Sequence, residues 1–219
     1  MTRELTLEPQ EPAASAVTER TWPDLRLANA GPHIDLAAAE HAAAGLLAAL
    51  GIQLDSESTR DTPARMARAY AELLETEPLR LTTFPNDGGY DELVLARDIP
   101  FRTLCEHHLL PFAGVAHVGY VPRERILGLS KLARVVEHYA ARPQVQERLT
   151  KQVADCLTSR LRPRAVGVVL EAEHTCMTLR GVRSRGCVTV TSAFAGTLRD
   201  DASGRAEFLA LAGMGRGED

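Results

Sequence analysis

The sequence predicts an α+β fold in which helices cover an antiparallel sheet. Two observations carry this. Segments with helical and with extended patterning come in blocks (helices, strands, two helices, strands, a short final helix) and do not alternate singly. The extended segments are rich in Val, Thr and Ile, whereas the helical ones repeat apolar residues at i, i+3, i+4 and i+7. At 219 residues, 45% of them apolar, the chain is long enough to bury a sizeable core.

Residues 1–30 are rich in Pro, Ala, Glu and Thr without periodicity and read as a mobile extension. Residues 31–84 read as an N-terminal helical region. An Ala/Leu-rich stretch from Asp35 to Leu50 is its first helix, closed by Gly51. Asp61-Thr62-Pro63 starts the second, with Thr62 as N-cap and Pro63 at the first helical position. Met66, Ala67, Tyr70, Leu73 and Leu74 then share one buried face. A loop follows at 85–90, and strands are expected at 92–99, 113–121, 165–172, 174–180 and 187–194.

Between the second and third strands lie two helices. The first runs from Ser130, its expected cap, to about Ala141, with the stripe Leu132, Val135, Val136 and Tyr139. Lys131 and Arg134 sit three apart on another face. The second begins after Pro143 and runs to about Leu161. Its stripe of Val145, Leu149, Val153, Cys156 and Leu157 makes Cys156 a core thiol. A final helix is expected near 204–211.

Composition narrows the function classes. Lys plus Arg is 25 against 29 for Asp plus Glu, a net charge of −4. That balance, with aromatics at 5%, disfavours a nucleic-acid partner. The N-terminus lacks the apolar core of a secretory signal, and the longest apolar run, Ala42 to Leu50, is too short to span a membrane. Four cysteines are too sparse for a disulfide scaffold, so a cytoplasmic protein with reduced thiols is expected. The charge is uneven, however. Residues 121–185 carry 13 basic and 6 acidic side chains, which suggests either a small anionic ligand or a solvated basic face.

Two clusters carry chemistry. Cys105-Glu106-His107-His108 puts a thiol and two imidazoles within four residues, on an expected loop. Glu173-His174-Thr175-Cys176 falls in an expected strand, where His174 and Cys176 would project side by side. Together they offer Cys105, one histidine of the first cluster and Cys176 as three ligands of an open zinc site. Water would take the fourth position, and the remaining histidines would be proton-transfer groups. Two unrelated sets of polar side chains are the alternative. Lys131 and Arg134 at a helix start, with Arg180 on the expected strand face of Cys176, are candidates for a polyphosphate clamp. Arg65 is a weaker one, since such an Arg is usually solvated surface. Glu147, after Gln146, could accept two donors from a planar ring with adjacent N–H groups, or simply complement its helix dipole.

LCEHHLLPFAG, GYVP, GLSKLARVVEHYAARPQVQERLTKQ and EHTCMTLRGVR, in this order, closely resemble the GTP cyclohydrolase I family. TPARMARAY upstream and EFLAL downstream extend the likeness from about residue 35 to about residue 211. The resemblance implies the tunnelling fold, an antiparallel sheet with two antiparallel helices on one face, over a catalytic domain of residues 85–219. It implies one Zn2+ per subunit on Cys105, His108 and Cys176, and catalytic histidines at His107 and His174. It places guanine on Glu147 with Gln146 beside it. It places the triphosphate on Lys131, Arg134 and Arg180, with Arg65 reaching in from a neighbouring subunit, and counts Ser130 among the substrate-binding residues. The implied reaction converts GTP and water to formate and 7,8-dihydroneopterin triphosphate, in a homodecamer of two pentamers with sites where subunits meet. Cys187 reads as a bystander thiol.

Other classes fit less well. A zinc deaminase needs a C-x-x-C that the sequence lacks. Pterin-forming and deazaguanine-forming relatives on the same fold differ in their metal or nucleophile arrangement, and a zinc-stabilised binding module would need a fourth protein ligand. A non-catalytic or regulatory GTP-binding paralogue remains the alternative reading.

Overall fold

A computed structural model describes residues 26–27 and 33–214. The expected extension 1–30 lies outside them except for Arg26–Leu27 (β1), which pairs antiparallel with Leu79–Arg80 (β2). Helix α1 spans Leu36–Ala49, and the Asp35 carboxylate caps it by accepting from the Ala38 N–H. Helix α2 spans Thr62–Leu74. Its N-cap is Asp61 rather than Thr62, which is already the first helical residue, and Pro63 lies in the first turn. Of its expected face Ala67 is buried, together with Pro63 and Ala71, while Met66, Tyr70, Leu73 and Leu74 are half-buried. No described helix is long and apolar enough to cross a membrane.

Strand β3 (Thr83–Pro85) pairs with the short β6 (Arg125–Leu127). The main sheet is built from β4 (Val94–Cys105), β5 (Pro111–Val121), β8 (Ala165–His174) and β9 (Val188–Gly196), antiparallel neighbours in that order. A two-residue strand, β7 (Pro143–Gln144), joins the outer edge of β4 in parallel. Helices α3 (Ser130–Ala140) and α4 (Gln146–Leu161) pack their predicted stripes into the large core on one face, except Val145, which is half-buried and precedes α4 as its N-cap. The short α6 (Thr197–Asp200) and α7 (Ala202–Leu211) cover part of the other, where fully buried Phe208 lies over Gly167. With both faces covered, the β8 run Ala-Val-Gly-Val-Val-Leu is buried throughout, a continuous apolar segment instead of an alternating one. Cys156 is in the core, where burial pushes its thiol up, as the helical spacing led us to expect.

Several expectations are corrected. There is no strand at 174–180. β8 runs unbroken to His174 and is followed by a helical turn, α5 (Thr175–Thr178), and a loop. The ladder stops because His174 pairs with Phe112, one residue from the start of β5, and little partner strand remains. Ser130 does not cap α3. Leu129 is already in helical conformation, and Lys131 N–H bonds back to Gly128 O at 2.8 Å, so the turn begins earlier and leaves the Ser130 hydroxyl no cap to make. The first expected strand continues to Cys105, so that residue closes a strand and only the residues after it form a turn.

Gly114 stands where β5 crosses between Phe101 and Ala172. A Cβ there would come within 1.8 Å of the Glu171 carbonyl oxygen. Because backbone must move to admit a methyl group, Gly114→Ala should destabilise the chain by ~3 kcal/mol or more, read as a lower urea-unfolding midpoint.

Candidate metal centre and active site

Two chain segments meet at one end of the β5–β8 pair. Cys105, 6% exposed, ends β4. Its N–H bonds to Leu110 O, and its carbonyl accepts from Leu109 N–H, both at 2.8 Å. The turn closes with Leu109 in the left-handed region, at φ 52°. The Tyr70 hydroxyl of α2 donates to Leu109 O at 3.3 Å and braces the turn from outside. Opposite it, α5 carries Cys176. One donor atom from each of Cys105, His108 and Cys176 falls within 4.8 Å of the others. The Cys105 sulfur lies 3.8 Å from Nδ1 of both His107 and His108.

This donor set fits a metal ion. Burial, and then the neighbouring Cys105 sulfur, push the Cys176 thiol up, an arrangement that a cation between the sulfurs would relieve by stabilising thiolates. Three protein ligands leave a tetrahedral ion one open position.

His174 stands beside this group at the end of β8. Its ring stacks on Phe112, with centroids 4.2 Å apart and planes at 12°. Its Nε2 is 2.7 Å from Gln146 Oε1. Burial lowers its pKa from the ordinary imidazole value, and the Glu147 carboxylate opposes that shift. Glu147 itself, in the first turn of α4, is exposed, and its side chain has no hydrogen-bond partner among the described residues.

The turn after Cys105 is also tied to α4. Arg148 donates to Glu106, to Pro143 O at 3.2 Å and to Gln144 Oε1 at 2.9 Å. The Glu106 carboxyl is held below its usual range, chiefly by Arg148. Glu106 N–H further bonds to Gln144 O at 3.0 Å.

The other sequence-predicted residues divide into two sets. Arg180 joins the metal group, with Nη1 3.2 Å from His108 Nε2 and donating to Cys176 O at 3.3 Å. The Cys176–Arg180 relation is that of a helical turn and not of one strand face, and His174 and Cys176 likewise belong to different elements. Half-buried Lys131 and exposed Ser130 and Arg134 have no side-chain hydrogen bond or ion pair among the described residues. Arg65 bonds locally, to Ser58 O at 2.6 Å and Thr62 Oγ1 at 3.2 Å, and pairs with Asp61 at 4.0 Å. Sequence reasoning missed Phe112, Tyr70, Glu106 and Arg148 as supports. Phe112 follows Pro111 in the motif, but nothing in the spacing shows it stacking on a residue 62 positions later.

The model of the family described as GTP cyclohydrolase I matches residues 39–213. GTP cyclohydrolase 1 of Mycolicibacterium vanbaalenii is 56% identical over 182 residues, covering 81% of this chain and 90% of that protein. GTP cyclohydrolase 1 of Mycolicibacterium gilvum is 54% identical over 185 residues, 82% of this chain and 92% of that protein. GTP cyclohydrolase 1 of Streptomyces griseus is 54% identical over 180 residues, 79% and 88% respectively.

In metal-loaded protein, Cys105→Ser and Cys176→Ser should each carry far less metal through gel filtration than the parent, as read by elemental analysis. Cys156→Ser, which removes a core thiol, should keep it.

Proposed function

The chain belongs to the GTP cyclohydrolase I family, and from that premise we infer that it converts GTP and water to formate and 7,8-dihydroneopterin triphosphate in a zinc-dependent reaction. The observation that carries this reading is the meeting, at one end of β8, of the Cys105–His108–Cys176 group with His174 and Glu147. It brings together a metal-ligand set, a proton-transfer group and an unpartnered acid.

Guanine selection follows from Glu147. Its carboxylate accepts from guanine N1–H and the 2-amino group. Adenine offers neither, and a site that hydrogen-bonds its substrate in this way can reject the analogue by ~10⁴-fold. The triphosphate is held by Ser130, Lys131, Arg134 and Arg180. The uncompensated charges of Lys131 and Arg134 suit them to a polyanion.

Zn2+ on Cys105, His108 and Cys176 supplies, when bound, a Lewis acid that lowers the pKa of water from ~15.7 toward ~7. The reaction needs a proton at guanine N7 while water adds at C8, then protons for the nitrogens released as the C8–N9 and N7–C8 bonds break. His174 and His107 hold and move these protons. They serve again as the ribose opens, rearranges and recloses onto the freed amine.

A homodecamer of two pentamers with sites between subunits completes this reading. It is supported by the exposure of Leu129, Leu179 and Val182 beside Ser130 and Arg180, each above 70% on the single chain. It also gives Arg65, occupied locally on its own chain, a neighbouring site to serve.

The test is incubation of the purified zinc-loaded protein with GTP, following formate and the pterin absorbance after oxidation. Absence of both products overturns the reading. Glu147→Ala should abolish most turnover while keeping zinc. His107→Ala should also keep zinc and lose turnover; loss of the metal would mean that His107, not His108, is the ligand.

A further inference from the structure

We propose that Gln146 is a positioning residue: its side-chain oxygen fixes His174 as the Nε2–H tautomer and leaves Nδ1 as the ring nitrogen without a hydrogen-bond partner. The proposal rests on the reading of His174 as a proton-transfer group and reassigns Gln146 from a substrate contact to a support.

Gln146 is the first residue of α4 and is 1% exposed. Its amide nitrogen lies 3.1 Å from Leu170 O and 2.9 Å from Thr189 O, carbonyls of the adjacent strands β8 and β9. A primary amide has two N–H donors, and the two carbonyls take both. Turning the amide over would set its oxygen against two carbonyl oxygens, none of which can donate. The orientation is therefore decided by the sheet, and Oε1 must face His174 Nε2, 2.7 Å away. An amide oxygen only accepts, so Nε2 carries a hydrogen whether the ring is neutral or cationic.

The remaining freedoms are also removed. The Phe112 stack fixes the plane of the ring. The Gln146 carbonyl accepts from Thr150 Oγ1 at 2.8 Å, and that hydroxyl pairs with Thr191 Oγ1 on β9, anchoring the helix start to the sheet. His174 Nδ1 has no hydrogen-bond partner among the described residues. In the neutral ring Nδ1 is a lone pair that can receive a proton. Without the lock, the neutral ring would also populate the Nδ1–H tautomer, which has no base at that position.

Every polar atom of the Gln146 side chain is engaged within the protein, so losing it should change turnover and leave GTP affinity alone. In the zinc-loaded protein, Gln146→Met should lower kcat by ~10²-fold or more, the scale of a lost acid–base contribution, with KM for GTP within about twofold and zinc content unchanged. A raised KM with kcat retained overturns the proposal, because Gln146 would then be a substrate contact.

Methionine leaves two carbonyls unpaired, so a measurement on the unaltered holoenzyme stands beside the variant. Long-range 1H–15N correlation of ring-labelled histidines should show neutral His174, identified by the signal missing in His174→Asn, protonated at Nε2. Protonation at Nδ1, or a mixture of the two forms, overturns the proposal. The spectrum does not depend on turnover, so failure of the lock and failure of the GTP reading give different results.

Discussion

The pairing of β5 with β8 is the constraint on which the rest depends. Its register runs without a shift from Val121–Ala165 to Phe112–His174. Because side chains alternate faces along a strand, a slip of one residue would exchange the buried sets of both strands, and the apolar core specifies the register strongly. The last rung sets Phe112 against His174. The chain then turns immediately into α5 and delivers Cys176 to the sulfur of Cys105, the last residue before the β4–β5 turn. Packing energy far from the chemistry thus holds donor atoms that would otherwise gain little from meeting.

Electrostatics at this end opposes packing. Two thiols and an imidazole gather where burial raises the Cys176 thiol and lowers the His174 imidazole. Neither shift helps hold the site together, and the Glu147 carboxylate acts on His174 from an exposed position. The fold accepts locally uncomfortable side chains because the strands and α4 bury so much apolar surface behind them. A group with these donors and an open coordination position suits a ligand brought in from outside.

Much of this was legible in the sequence. Helices α1, α3 and α4 follow from composition, periodicity and breakers, and the candidate metal donors stand out because Cys and His rarely cluster without cause. The strand expected at 174–180 failed because Thr, Met and Leu suit a strand or a helical turn, and only the end of the β5 ladder decides between them. Arg180 still reaches His108, but by the spacing of a helical turn and not of a strand. Gln146 was visible only as a neighbour of Glu147. Its tie to Thr189 and His174 spans residues brought together by three separate elements, and no local pattern encodes that. The Arg148–Glu106 pair is hidden for the same reason.

The two halves of the metal group also differ in how the chain comes to make them. Cys105 and His108 sit at the tip of a hairpin between consecutive strands, which closes quickly and locally. Cys176 lies 71 residues beyond Cys105 and arrives only when β8 docks on the far edge of β5. Closing that long loop has an entropic cost that the local hairpin does not bear. A nascent chain therefore presents a two-donor site first and the full set last. A metal held by all three donors would therefore report that β8 has joined β5.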